Sequence, residues 1–158
     1  NINAFTCATG TGGTLAGVSR YLKEKRQDIQ IIAADPLGSA IYNWITEGEP
    51  IMSPGPSITE GIGNSRITKN LADTQIDGAI QVQDQEMVDM VYSLLHKDGW
   101  FLGSSSGINL CSAYEVAKKL GPGNTIVTIL CDDGSKYKST LFNQEFLKGK
   151  NLRTRHVK

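Results

Sequence analysis

The chain has 158 residues, 39% hydrophobic and 20% charged, a composition suited to one globular domain with its own core. Its 16 basic and 16 acidic residues cancel, and like charges gather only in the short tail 153–158, so neither nucleic acid nor an anionic membrane surface is an expected partner. No apolar run approaches the roughly 18 to 20 residues of a membrane span, and the first ten residues lack the basic start of a signal peptide, so a soluble, cytoplasmic protein is expected.

Ile2 to Ala8 is a short β-prone run that stops at the turn Gly10-Thr11-Gly12-Gly13-Thr14, after which Leu15, Val18, Tyr21 and Leu22 recur at helical spacing. Ile29 to Ala34 gives a second apolar strand, ending at Asp35-Pro36. Strand, helix and strand of this length imply a parallel, right-handed crossover and so an α/β fold. Between Leu37 and about Ile80 the pattern loosens, with a short helix expected around Ile41 to Glu47 and a loop at Ser53-Pro54-Gly55-Pro56-Ser57. Asp84 is placed to cap a helix whose apolar positions Met87, Val88, Val91, Leu94 and Leu95 keep a 3.6-residue period until Gly99. Trp100 to Leu102 reads as a brief strand, Gly103-Ser104-Ser105-Ser106-Gly107 as a turn, and Ile108 to Leu120 as an amphipathic helix ended by Gly121-Pro122. Thr125 to Cys131 is a continuous apolar run suited to a strand buried on both faces, ending at Asp132-Asp133-Gly134. Three polar junctions thus follow three strands, and in an open parallel sheet such junctions converge on one cleft at the carboxyl ends.

Cys7, Cys111 and Cys131 are far apart, odd in number and free of CxxC spacing, so they read as buried reduced thiols and no metal is expected. His96 and His156 have no nucleophile or co-ligand beside them and read as surface. Lys23, Lys118, Lys119 and Lys136 fall on polar helical faces or in turns and read as solvated.

Gly10 to Thr14 combine N–H groups freed by glycine, two hydroxyls and the positive end of the following helix, a set suited to a dianionic phosphate. A GxGxxG fingerprint is ruled out by Leu15, and no Gly-Lys-Ser/Thr ending completes a Walker A loop. Asp35 lies about 20 residues on, where a ribose-binding acid would stand, and keeps a dinucleotide-binding reading open beside that of a plain turn. At Gly103 to Gly107 three hydroxyls enter a helix, and capping by one of them is the simplest account.

With Ile58-Thr59-Glu60-Gly61-Ile62-Gly63 between them and Gly134 to Phe142 after them, these motifs together resemble the fold type II pyridoxal-phosphate enzymes, most closely the cysteine synthase (O-acetylserine sulfhydrylase) family. The resemblance covers nearly the whole chain and matches that family's C-terminal half. It implies an open, mainly parallel sheet with helices on both faces, a tryptophan-synthase-β-like fold, incomplete in this fragment. It implies pyridoxal 5'-phosphate as cofactor, Gly10, Thr11, Gly12, Gly13 and Thr14 as the phosphate loop, Gly61 beside the cofactor's reacting edge and Ser105 as partner of the pyridine nitrogen. A neutral hydroxyl there does not stabilise a protonated ring as a carboxylate would, which suits α,β-elimination. The implied reaction is a β-replacement in which O-acetylserine loses acetate to give an aminoacrylate and sulfide adds to form cysteine. Cystathionine β-synthase and serine/threonine dehydratase are alternatives with compatible motifs, and a non-catalytic dinucleotide-binding or interaction module is the alternative of another class.

Where familiar bacterial members have Pro-Ser-Ser-Gly, this sequence has Cys131-Asp132-Asp133-Gly134, which makes Asp132 and Asp133 candidates near the pyridine, weighed against turn-forming and helix-capping roles. The family's Schiff-base lysine and its Ser/Thr-Ser-Gly-Asn substrate loop do not occur here. No catalytic residue is therefore expected in this segment, which is expected to be a fragment, inactive without the missing N-terminal half. The partners implied are a small amino-acid substrate, that missing half, and a second copy in a homodimer.

Overall fold

The computed structural model describes residues 1–154. A four-stranded parallel sheet runs in the order β3-β2-β1-β4, from β1 (Ala4–Ala8), β2 (Gln30–Pro36), β3 (Gly78–Val82) and β4 (Ile126–Val127). β1 and β2 lie in the middle, and their residues alternate between two apolar layers because side chains of a strand point to opposite faces in turn. Phe5, Cys7, Ile31 and Ala33 face one layer, packed on Leu15 of α1 (Gly13–Lys25), Ile41 of α2 (Ile41–Glu47) and Leu71 of α3 (Lys69–Ala72). Ile32 and Ala34 face the other, packed through two clusters on residues of α4 (Asp84–Asp98) and α5 (Ser104–Leu120), among them Met87, Val91, Ile108 and Val116. A last helix, α6 (Gln144–Gly149), adds Leu147 to that second layer. The fold is α/β with helices on both faces of the sheet.

Several sequence expectations are corrected. The loose stretch before Ile80 contains both α3 and β3, whose Gly78 and Ala79 give little β signal. Trp100 to Leu102 is not a strand; only Leu102 bridges, antiparallel, to Asp133. The serine turn is already helix, since α5 starts at Ser104 with no side-chain cap. The run Thr125 to Cys131 is half-exposed and pairs through Ile126 and Val127 alone; beyond them the Thr128 hydroxyl donates to the Thr6 carbonyl at 2.7 Å and the Cys131 N–H to the Ser106 hydroxyl at 2.9 Å. Side chains there replace the ladder. α4 is capped by Gln83 in a capping box with Glu86, and Asp84 instead accepts from Ser57 and from the Ile58 N–H.

Cys7 and Cys111 are buried, as expected, while Cys131 is exposed. Lys23 is buried rather than solvated: it pairs with Asp77 at 2.7 Å and donates to the Gln27 carbonyl at 3.0 Å. Asp77 lies 54 residues away in the sequence, so helical periodicity carries no sign of it. His156 lies outside the described residues.

Candidate functional site

The turn after β1 carries the chain past the carboxyl edge of the sheet and into α1. The first helical hydrogen bond is donated by Ala16 to the Gly12 carbonyl at 2.9 Å, so the N–H groups of Gly13, Thr14 and Leu15 have no helical acceptor. No acidic residue occupies the first turn of α1 to take up that positive end. Gly12 sits at φ 79°, in the left-handed region, and a Cβ there would run into the Leu71 side chain. Gly10 touches a second motif: a Cβ on it would stand 2.6 Å from the Gly61 carbonyl oxygen. Two glycines 51 residues apart in the chain thus form one backbone contact. Just before them, the Thr9 hydroxyl is buried and has no hydrogen-bond partner among the described residues.

The serine turn approaches the same strand end from the second layer. Asn109 accepts the Ala8 N–H at 2.6 Å and donates to the Ile129 carbonyl at 2.7 Å, tying α5 to the end of β1 and to the chain beyond β4. Ser105 stands four residues earlier on the same helix face. Its hydroxyl, largely buried, hydrogen-bonds to no described residue, whereas the buried Ser104 hydroxyl stands beside the Tyr137 phenol. Ser106 differs, since it is occupied by Cys131. Asn109 has no motif to announce it; the only signal is an asparagine inside a helix, where its side chain ordinarily competes with the backbone.

The two aspartates divide. Asp133 caps the short 3-10 turn 134–137, accepting the Ser135 N–H at 2.7 Å, and that bond holds its carboxyl below the usual range. Asp132 Oδ2 accepts from the Tyr137 hydroxyl at 3.0 Å and meets Lys136 at 3.4 Å, while Oδ1, against Gly103, is buried and unpartnered. Burial, and then the bond to Asp132, pushes the Tyr137 phenol up. Asp35 faces inward at 0% exposure: Oδ2 accepts the Tyr42 N–H at 2.8 Å, the Ser39 hydroxyl stands beside the carboxyl, and burial outweighs both and raises it to about 6. It has no surface to offer a ribose. Among the described residues, no group of His, Cys, Asp and Glu is placed to hold a metal ion, and no helix is long and apolar enough to cross a membrane.

Residues 1–132 match the family model described as pyridoxal-phosphate dependent enzyme. The chain belongs to the pyridoxal-phosphate dependent enzyme family. Among curated relatives it is 46% identical over 155 residues to cysteine synthase 1 of Neurospora crassa, covering 96% of this chain and 41% of that protein. It is 44% identical over 156 residues to cysteine synthase 1 of Emericella nidulans, covering 96% and 42%. Among solved structures it resembles an O-acetylserine dependent cystathionine beta-synthase from Helicobacter pylori, with TM-score 0.78 and 35% identity over 89% of this chain and 43% of that one. The chain thus spans about two fifths of the length of the relatives it matches.

The cofactor of this family fits the site. Its phosphate would be held by the uncommitted N–H groups at the start of α1, whose first turn carries no acidic side chain, and the hydroxyls of Thr9 and Ser105 supply polar groups that no described residue engages.

Proposed function

We propose that this segment is the cofactor-holding portion of a cysteine synthase-like enzyme, which replaces the acetate of O-acetylserine by sulfide to give cysteine. Gly10 to Thr14 hold the cofactor phosphate through backbone N–H groups and the two threonine hydroxyls. Ser105 meets the pyridine nitrogen as a neutral partner, Gly61 lies along the reacting edge, and Asp132 stands near the ring while Asp133 serves as a cap. Bound there, pyridoxal phosphate supplies the electron sink that allows a β-substituent to leave. The chain's own work is to grip, orient and exclude water; the imine-forming lysine comes from the remaining N-terminal portion, and the complete enzyme is a cytoplasmic homodimer.

The observation that carries this reading is the turn after β1, whose N–H donors and neighbouring Thr9 hydroxyl are unclaimed at the carboxyl edge of a parallel sheet. The relatives named cysteine synthase support the choice of reaction. The Helicobacter pylori neighbour, which uses O-acetylserine in cystathionine synthesis, supports a second reading with the same donor and a thiol amino acid in place of sulfide. Assay of the complete protein with O-acetylserine and either sulfide or homocysteine separates them. Faster cysteine formation is expected, and preferential cystathionine formation overturns the choice.

A further inference from the structure

Three consecutive peptide groups of the Gly10 turn are held from one side. The Gly63 N–H donates to the Thr9 carbonyl at 2.8 Å. The Asn64 side-chain amide donates to the Gly10 carbonyl at 3.3 Å. The Thr68 hydroxyl donates to the Thr11 carbonyl at 2.7 Å, and the Asn70 amide adds a longer bond to the same oxygen at 3.4 Å. In a trans peptide the carbonyl of one residue and the N–H of the next point in opposite directions. Pinning the carbonyls of Thr9, Gly10 and Thr11 toward the 63–70 segment therefore turns the N–H groups of Gly10, Thr11 and Gly12 to the other side. None of these three donates to a described residue. Together with the free N–H groups of Gly13 and Thr14 they make one continuous array of donors.

We infer that Asn64 and Thr68, supported by Asn70, are positioning residues for the phosphate grip: they touch the loop from behind and fix the direction of its donors. This rests on the reading of Gly10 to Thr14 as a phosphate loop. Parallel N–H dipoles repel one another, so an empty array needs a scaffold to keep it aimed, and donors aimed in advance bind an anion without reorganisation. The scaffold is itself fixed. Asn64 Oδ1 accepts the Arg66 N–H at 3.2 Å, which orients its amide, and its backbone N–H donates to the Ser39 hydroxyl at 2.9 Å while its carbonyl accepts the Ala40 N–H at 2.8 Å. The Thr68 hydroxyl also accepts the Leu71 N–H at the start of α3, so its proton is directed to Thr11.

The test is calorimetric titration of the complete protein, stripped of its cofactor, with pyridoxamine 5'-phosphate, which forms no imine with lysine, and with pyridoxamine, which lacks the phosphate. The ratio of the two affinities isolates the phosphate contribution. Asn64→Ala and Thr68→Val are each expected to lower that ratio roughly threefold to tenfold, the worth of one hydrogen bond, while Thr68→Ser stays within about twofold of the unsubstituted chain. An unchanged ratio in Asn64→Ala and Thr68→Val, or an equal weakening of both ligands, overturns the positioning role and leaves the phosphate reading standing. A ratio near one in the unsubstituted chain overturns both. Should Thr68→Val fail to fold, Asn64→Ala decides alone, because the backbone bonds of Asn64 to Ser39 and Ala40 survive the substitution.

Discussion

The turns that leave β1 and β2 begin at the same edge of the same sheet, on adjacent parallel strands, and both are rich in polar groups. After β2, those groups answer one another. Asp35 takes the Tyr42 N–H, and the Ser39 hydroxyl accepts from Ile41 and Asn64 and donates to the Asn64 carbonyl. After β1, the carbonyls are claimed and the N–H groups are not. Polar residues at a strand end therefore do not by themselves mark a ligand site; what marks it is a set of donors left over after the protein's own hydrogen bonds are made. That difference separates the Gly10 to Thr14 turn, the proposed phosphate loop, from Asp35, which the sequence alone leaves as rivals.

The largest effect is expected at Gly12. Gly12→Ala forces a side chain into the left-handed region and into Leu71, and should cost about 3 kcal/mol in urea unfolding, whereas Gly17→Ala, with open space around it in the same helix, should stabilise by about 0.5–1 kcal/mol. Equal effects would mean that the open turn is not built on backbone conformation. Next, Ser39→Ala removes the group that closes the β2 turn and should cost about 2 kcal/mol, since it strands the buried Ile41 N–H and the part-buried Asn64 N–H.

A smaller and pH-dependent change is expected from Asp35→Asn. Burial raises the Asp35 carboxyl from 3.8 to about 6, so between those values the folded chain binds the proton that the unfolded chain has released. The stability this provides is complete below the unfolded pKa and is lost as pH rises through about 6. Melting temperature should therefore fall between pH 5 and pH 7, and Asp35→Asn should flatten that slope, with a gain of about 1 kcal/mol at neutral pH. An unchanged slope would show that Asp35 is not the titrating group. The smallest effect is expected at Thr9. Removing an unpartnered buried hydroxyl by Thr9→Val should change stability by less than about 0.5 kcal/mol. A loss above about 1 kcal/mol would reveal that the hydroxyl is used by the protein after all.

The central strands, α1, α2, α4 and the α/β class were legible because two-residue and 3.6-residue periods are local signals. β3 was missed because Gly78 and Ala79 carry little β propensity, and the run after Thr125 was over-read because its continuation is held by Thr128 and Cys131 through side-chain bonds that hydropathy does not register. At the site, Gly10 to Thr14 and Ser105 stood out by type and spacing. Asn64, Thr68, Asn70 and Asn109 did not, because each acts on a carbonyl or N–H more than 50 residues distant in sequence, or, for Asn109, also on Ile129 across 20. Lys23 was misread for the same reason, its partner Asp77 being remote.

The unequal burial of the three cysteines has a use at the bench. Burial pushes the Cys7 and Cys111 thiols up to about 12, leaving almost no thiolate at neutral pH, while Cys131 is exposed at the point where its own N–H meets Ser106 and its sulfur lies 3.5 Å from the Asn109 amide. An alkylating dye added at neutral pH therefore marks Cys131 first and places a single reporter on the clamp that holds α5 against the end of β1, with no engineered cysteine required.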